Sequence, residues 1–239
     1  MTSTPKYYTQ KLRILASIAD AKPGDPMPTE RELASRFDTS RTTIRQALSE
    51  LVHEGRIVRA HGRGTFVAQP PVIHVRSLTS LSEDLTGTTL DSVVLEVREI
   101  VVGAEVSGDS AARAEVAAGL ELDSGSAVTR VERVRTSDGE ALAHEVAHLP
   151  GTYPGLAGEL ASRGSLYATL RDAYDVVLAS AEDEIGTGLA DPDDSARLGI
   201  AVGQPLLLIT RTARSGTGVP LEFTRSRFRG DRFRFLARS

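Results

Sequence analysis

Cysteine is absent from the 239 residues of this chain. A disulfide framework, a thiolate metal site and a cysteine nucleophile are therefore excluded. Long hydrophobic runs are missing as well. The longest, from Pro205 to Ile209, is far shorter than the roughly 18 apolar residues of a membrane-spanning helix. The first eight residues lack the apolar centre of a secretion signal, so we expect a cytoplasmic protein with no membrane contact.

The composition that remains is ordinary for a globular protein, with 40% hydrophobic and 25% charged residues. The length fits one large or two modest domains. The net charge of −4 is unevenly distributed: residues 1–70 carry 11 Lys and Arg against 7 Asp and Glu (+4), and the remainder carries 17 against 25 (−8). A basic first third suggests contact with a polyanion, although solvated charged faces would give the same numbers.

The basic segment has the pattern of three helices followed by a β-hairpin. Thr29 and Glu32 form a capping box before a short second helix, and Ser40 is a good N-cap for a third. Two short strands at 56–59 and 65–67 enclose a cationic turn rich in glycine. This order is typical of a winged helix-turn-helix, a mainly α fold with a hairpin wing, in which the third helix enters the DNA major groove.

The cations of this segment occur where such a fold would meet DNA. Arginines and threonines follow Ser40 in the third helix, away from its apolar stripe, and suit base edges or phosphates. Glycines at the hairpin tip permit close approach to a minor groove, which an arginine or histidine could enter. A helix bundle with solvated arginines is the alternative. The predicted DNA contacts are Ser40, Arg41, Thr42, Thr43, Arg45, His61, Gly62 and Arg63.

The run PTERELASRFDTSRTTIRQAL from Pro28, followed by Glu54-Gly55 and the GRGTFV of 62–67, resembles the GntR superfamily of bacterial transcription regulators. The resemblance covers nearly all of residues 6–68. It implies binding to a palindromic double-stranded DNA operator as a homodimer. It also implies that DNA-contacting positions fall on Arg31, Arg41, Thr42, Thr43, Arg45, His61 and Gly62.

The second part of the chain contains an internal repeat. Residues 124–133 align with residues 202–211 at a shift of 78. In each copy a helical stretch precedes an apolar strand, a glycine turn and another strand, and a helix capped by Ser165 lies between the copies. The duplication predicts an α+β domain, with helices packed on an antiparallel sheet.

This layout resembles the UTRA effector-binding domain of the HutC subfamily, which has a chorismate-lyase-like fold. The motifs are RVERVR from Arg130, Ser165-Leu-Tyr167, and PLE before Phe223, and the resemblance covers about residues 75–237. Within the subfamily the chain is most similar to amino-sugar-responsive regulators. The resemblance implies a sugar-phosphate site on Arg133, Arg135, Ser165 and Tyr167, with Glu145 and Glu222 towards the hydroxyls or amine.

The strand pattern is compatible with such a site. Arg133 and Arg135 are two residues apart on a strand, so they face the same way and can hold a dianion together. A three-residue loop ending at Gly139 would put Glu145 on their face, opposite Val131, whereas a two-residue turn would not. Arginines paired with surface carboxylates are the alternative interpretation.

One segment departs from the family pattern. Residues 86–91 are short, lack proline and introduce Asp91, which would oppose a phosphate. Thr88, Thr89 or Ser92 could still donate hydrogen bonds to one. The effector is therefore left open between an amino-sugar phosphate, inorganic phosphate, a phosphonate-related metabolite, another acid and no effector at all.

The string from His144 to His148 matches the HExxH of zinc proteases. That chemistry needs a helix, which brings both imidazoles to one metal. The string follows a glycine turn and ends at Leu149-Pro150, which favours a strand, where the histidines would stand roughly 13 Å apart. We therefore expect no metal site, no cofactor and no enzyme, and a zinc hydrolase is the remote alternative.

The prolines at 70 and 71 mark a stiff linker. We predict a winged helix-turn-helix DNA-binding domain at 1–68, a linker at 69–75 and an effector-binding and dimerisation domain at 76–239. The favoured function is a homodimeric transcriptional repressor controlled by a small anionic metabolite. The competing hypothesis is a DNA-binding dimer whose second domain binds no effector.

Overall fold

The computed structural model falls into two compact units. The first runs to Val72 and includes Gly230–Arg232, and the second is formed by Ile73–Arg229 and the residues from Phe233 onwards. The residues that the structure describes are 5–60, 62–69, 72–75, 91–102 and 110–236.

The body of the first unit consists of the helices α1 (Lys6–Ser17), α2 (Glu30–Arg36) and α3 (Arg41–His53). The Thr29 hydroxyl accepts a hydrogen bond from the N–H of Glu32, whose carboxylate accepts one from the N–H of Thr29. The Ser40 hydroxyl accepts from the N–H of Thr43. One apolar cluster holds the helices together and includes Ile14, Leu33, Ile44, Leu48, Leu51 and Ile57.

An antiparallel hairpin of β1 (Ile57–Ala60) and β2 (Gly64–Val67) follows α3. Phe66 on β2 also forms a bridge to Pro26, in the segment between α1 and α2. The hairpin is thereby tied to the helices as a wing.

The second unit is built from two β-α-β-β units. After β3 (Val72–Val75), the first comprises β4 (Asp91–Val101), α4 (Ser110–Leu120), β5 (Ala127–Ser137) and β6 (Glu140–Pro150). Two helices follow, α5 (Leu156–Arg163) and α6 (Leu166–Tyr174). The second comprises β7 (Ser180–Leu189), α7 (Pro192–Leu198), β8 (Pro205–Arg214) and β9 (Pro220–Arg229), and β10 (Phe233–Leu236) pairs with β3.

The six long strands form an antiparallel sheet in the order β4-β5-β6-β9-β8-β7. The two copies of the repeat thus meet at β6 and β9, in the middle of the sheet. The repeat predicted from the sequence comprised a helix and a hairpin in each copy. In the structure each copy also has a strand before the helix, β4 in the first and β7 in the second.

The turn between β5 and β6 is the shorter of the two alternatives that the sequence left open. It has two residues, Asp138 and Gly139, both with positive φ. A two-residue turn alone would put Glu145 on the other face, but a bulge after Arg135 shifts the register by one residue. Glu145 is therefore directly opposite Arg133, and not opposite Val131 as a three-residue loop would have it.

Alternation along the strands gives the sheet two faces. The front face carries Arg133 and Glu145, and α5 and α6 cover it through an apolar cluster of Val131, Ala147, Leu149, Leu156, Leu160, Leu166 and Leu170. The back face carries Glu132 and His144. Helix α4 packs there on Val128 and Phe223, and α7 packs on Leu206.

The HExxH string lies within β6, so His144 and His148 are on a strand and not on a helix. Within the described ranges, no group of three or more His, Asp or Glu side chains has an arrangement that could hold a metal ion. Those ranges also contain no helix of sufficient length and apolar character to cross a membrane.

Candidate DNA-binding surface and effector site

The start of α3 is an exposed polar surface. Ser40 caps the helix, and its hydroxyl lies 2.8 Å from the Thr43 hydroxyl. Arg41, Thr42 and Arg45 are exposed next to it. Because the first N–H groups of a helix lack partners within the helix and carry partial positive charge, this end suits a phosphate.

An ion-pair bridge connects this surface to the wing. Glu30, in the first turn of α2, lies 3.2 Å from the Nε of Arg45 and 3.7 Å from an Nη of Arg59 on β1. One carboxylate thus holds a side chain of α3 and a side chain of the wing side by side. The Arg45 side chain remains 64% exposed, so the pair leaves it accessible to a duplex.

The wing tip and α2 supply the other predicted contacts. Gly62 and Arg63 are exposed, with Gly62 at a φ of 70°. Arg31 is exposed on α2. His61, which was also predicted to contact DNA, lies outside the described residues.

The front face of the sheet carries a buried cluster of charged side chains. An Nη of Arg133 lies 3.2 Å from a carboxylate oxygen of Glu145, and the Nε of Arg135 lies 4.0 Å from the same oxygen. Arg135 is only 1% exposed. Burial lowers the pKa of Arg135 to about 10, which leaves the guanidinium charged at neutral pH.

Several donors in this cluster have no acceptor among the described residues. They are the Nε of Arg133, the Nε and one Nη of Arg135, and the hydroxyl of Ser92, the residue paired with Arg135 across the sheet. Buried guanidinium N–H groups are normally satisfied, because leaving one unpaired costs about 1–3 kcal/mol or more. A bound anion would satisfy these donors.

A second part of the cluster surrounds Glu222 on β9. The Tyr167 hydroxyl donates to Glu222 at 2.5 Å, and the Thr224 hydroxyl donates to its other oxygen at 2.7 Å. Burial raises the pKa of Glu222 and, more strongly, that of Tyr167. Arg211 donates to the Tyr167 oxygen at 3.4 Å and forms a two-pronged ion pair with Asp183 at 2.8 and 2.9 Å.

The structure brings most of the predicted effector residues to one face. Arg133, Arg135 and Glu145 form one group and Tyr167 with Glu222 another. Ser165 is buried at the start of α6, where its hydroxyl accepts from the N–H of Ala168. Thr88 and Thr89 lie outside the described residues.

The sequence reasoning missed four charged residues at these two places: Glu30, Arg59, Asp183 and Arg211. Glu30 on α2 pairs with arginines on α3 and β1, and nothing in the sequence around Glu30 indicates these long-range contacts. Arg211, however, aligns with Arg133 in the internal repeat. If the internal repeat had been used to predict site residues as well as the fold, Arg211 would have been identified as a candidate.

The first unit is the winged helix-turn-helix of DNA-binding proteins, and the second is an antiparallel α+β domain with a buried polar cluster. Residues 9–67 match the gntR family of bacterial regulatory proteins, and residues 86–234 match the UTRA domain. The chain belongs to the GntR family and carries a UTRA domain.

Relatives are similar over nearly the whole chain. The transcriptional repressor NagR of Bacillus subtilis is 34% identical over 237 residues, 97% of this chain and 93% of the relative. The repressor PhnF of Mycolicibacterium smegmatis is 37% identical over 216 residues, 90% and 84% of the two chains. The crystal structure of PhnF from Mycobacterium smegmatis superposes with a TM-score of 0.63 at 31% identity, covering 96% of this chain and 98% of the other.

These findings confirm the family, the winged helix-turn-helix with its hairpin wing, and the α+β antiparallel sheet with helices. The chain is a DNA-binding transcriptional repressor of the HutC type within the GntR family.

Proposed function

We propose that this repressor acts as a homodimer on a palindromic operator in the bacterial cytoplasm, and that a small anionic metabolite bound to the front face of its UTRA domain releases it. The DNA-binding part is supported by the exposed cations at the start of α3, joined through Glu30 to the wing. The effector part is supported by the buried donors of Arg133, Arg135 and Ser92.

DNA binding and effector binding are assigned to different parts of the chain. In the first unit, Arg41 and Arg45 read base edges or hold phosphates, and Arg31, Ser40, Thr42 and Thr43 position the helix. Arg63 and the segment at His61-Gly62 enter the minor groove beside it. The unit at 1–68 would therefore carry the DNA contacts, and the domain at 76–239 the effector site and the dimer contacts, on either side of a linker at 69–75.

The DNA-binding proposal is tested with Arg45→Ala. We expect operator affinity to fall by about ten-fold or more, because a base contact is worth roughly 1–3 kcal/mol, while affinity for unrelated DNA falls less. Both affinities are measured by fluorescence anisotropy, with an operator selected from random duplexes by the wild type. Arg36→Ala, which removes an exposed arginine from the last turn of α2, is the control. Unchanged operator affinity in Arg45→Ala would exclude the proposed docking.

The effector proposal depends on differential affinity, since a ligand shifts a two-state equilibrium only if it binds one state better. In the front-face cluster, an anion would meet Arg133, Arg135 and Ser92, with Tyr167 and Ser165 nearby on α6. The carboxylates of Glu145 and Glu222 suit hydroxyls or an amine on the same ligand. An amino-sugar phosphate combines these groups, and inorganic phosphate or a phosphonate would use the arginines alone.

Thermal unfolding with glucosamine 6-phosphate, inorganic phosphate or methylphosphonate tests for such a ligand, because a compound that binds the folded state raises the melting temperature. The active compound should also weaken operator binding. Arg133→Met and the milder Ser92→Ala should lose both responses and keep operator affinity. Arg163→Gln, on an exposed pair with Glu159, should retain them. A normal response in Arg133→Met would move the site elsewhere, and no response in the wild type favours a domain that only dimerises.

A further inference from the structure

Glu30 places a carboxylate among the cations of the proposed DNA-binding surface. It is the first residue of α2, where the capping box of Thr29 and Glu32 fixes the backbone and the helix dipole favours an acidic side chain. One of its oxygens lies 3.2 Å from the Nε of Arg45, and the other lies 3.7 Å from an Nη of Arg59. Each oxygen therefore serves one arginine, the first on α3 and the second on the wing.

These two ion pairs contribute little to the stability of the fold. The side chains of Arg45 and Arg59 are 64% and 47% exposed, and that of Glu30 is 32% exposed. Pairs that reach solvent are weak, because water screens the charges and pairing restricts both side chains. The arrangement has larger consequences beside a duplex, where phosphates and base edges compete for the same guanidinium groups.

The pairing leaves the terminal nitrogens of Arg45 available. Its Nε donates to Glu30, and neither Nη makes a hydrogen bond within the part of the chain that the structure describes. Two parallel N–H groups of an arginine form the fork that pairs with O6 and N7 of guanine. A carboxylate on the Nε side fixes the direction of this fork without occupying it.

The same carboxylate opposes binding that does not depend on sequence. Affinity for unrelated DNA comes from the phosphates that a protein neutralises. Glu30 carries a negative charge beside two arginines of this surface, so it reduces their attraction for the phosphates of every duplex. Its effect on the direction of Arg45, by contrast, gains affinity only where a suitable base is present.

We infer that Glu30 is a specificity-determining residue of this repressor, which positions Arg45 for a base contact and lowers the affinity for DNA of unrelated sequence. Arg59, its second partner, holds a phosphate next to that base. The inference rests on the proposed docking of α3, and it adds Glu30 and Arg59 to the surface that selects the operator.

Glu30→Gln in the full chain tests this, because it removes the charge and keeps the length of the side chain. Fluorescence anisotropy gives the affinity for the operator selected by the wild type and for an unrelated duplex. We expect affinity for unrelated DNA to rise about two-fold or more, and the ratio of operator to unrelated affinity to fall about five-fold or more. A variant that merely folded less well would bind both duplexes more weakly.

Two further variants separate the charge of Glu30 from its reach. Glu30→Asp keeps the charge but is one methylene shorter, so it should lower the ratio and leave affinity for unrelated DNA unchanged. Arg59→Gln should weaken binding to both duplexes by a similar factor, because a phosphate contact does not depend on sequence.

Asp20→Asn is the control for net charge, since it removes an exposed acidic group beyond the end of α1. It should leave the ratio unchanged. In an Arg45→Ala background, Glu30→Gln should no longer lower the ratio, because the contact that it positions is already absent.

The inference is overturned if Glu30→Gln leaves the ratio unchanged, if Asp20→Asn lowers it as much, or if Glu30→Gln lowers it equally in the absence of Arg45. Unchanged operator affinity in Arg45→Ala would overturn the proposed docking as well. A loss of operator affinity in Arg45→Ala together with a normal ratio in Glu30→Gln would overturn this inference alone.

Discussion

At the scale of single residues, Glu132 has the most perturbed carboxylate of the back face. Burial by itself raises a carboxyl pKa, but hydrogen bonds from Arg130, His144 and Arg197 outweigh it and bring the pKa of Glu132 to about 2. In the unfolded chain the group titrates near its usual value of 4.5. The folded state therefore binds fewer protons at this site than the unfolded state between these two values.

A lowered carboxyl pKa stabilises the fold fully above the unfolded value, and the contribution is lost as the pH falls from about 4.5 towards 2. We expect the free energy of unfolding to fall more steeply with acid in the wild type than in Glu132→Gln across this window. Urea unfolding at a series of pH values measures both. Glu184→Gln, on an exposed glutamate of β7, should keep the wild-type profile. Parallel profiles for the wild type and Glu132→Gln would contradict the assignment.

Residue-level prediction succeeded where a role follows from local chemistry. Ser40 and Ser165 were identifiable as caps, since a serine before an apolar helical pattern has one obvious acceptor role. Partners across strands were harder. The pairing of Arg133 with Glu145 depends on a one-residue bulge after Arg135, and nothing in the local sequence distinguishes the bulge from regular pairing.

At the scale of elements, two helical glycines have opposite surroundings. A Cβ added to Gly119 of α4 would lie 2.2 Å from the ring of Phe223, which is buried on β9. A Cβ added to Gly158 of α5 would meet nothing within 4 Å. Gly119 is therefore required for the close approach of α4 to the sheet, whereas Gly158 is not.

The same substitution should therefore change stability in opposite directions. Gly119→Ala forces α4 and Phe223 apart and should destabilise the chain by about 1–3 kcal/mol. Gly158→Ala removes backbone freedom of the unfolded state and should stabilise by about 0.5–1 kcal/mol. Thermal unfolding of the two variants gives the comparison. A shift of the same sign in both would show that packing of α4 on β9 does not decide the effect.

Sequence patterns predicted the elements of the sheet unevenly. The apolar runs of β5 and β8 were detectable, because both strands lie between two neighbours and carry several buried apolar side chains. Strand β7 was not recognised: it reads SAEDEIGTGL, with two glycines and acidic residues, and it forms an edge of the sheet. The glycines and acidic residues of β7 leave little apolar signal in its sequence.

At the scale of the whole molecule, the charge asymmetry has a measurable consequence. The basic charge lies in residues 1–70, which include the segment that matches the gntR family, and the remainder of the chain is acidic. If Arg63 at the wing tip contacts a phosphate, Arg63→Gln should reduce the slope of log affinity against log salt by about 0.9 per copy, or about two for a dimer.

The slope is obtained from operator binding between low and moderate salt. Arg171→Gln, in the second unit, should leave the slope unchanged. An unaltered slope in Arg63→Gln would place that arginine away from the phosphates.

The alternating faces of β5 also constrain how this sheet can evolve. Glu132 and Arg133 are adjacent in sequence, but their side chains lie on opposite faces of the sheet. Insertion of one codon within β5 would exchange the faces of the residues on one side of the insertion. Glu132 would then lie among the arginines of the front face, or Arg133 would lie on the back face. We therefore expect insertions and deletions to be tolerated at the Asp138-Gly139 turn and selected against within the strand. The residues on each face of β5 would then change during evolution by point substitution alone.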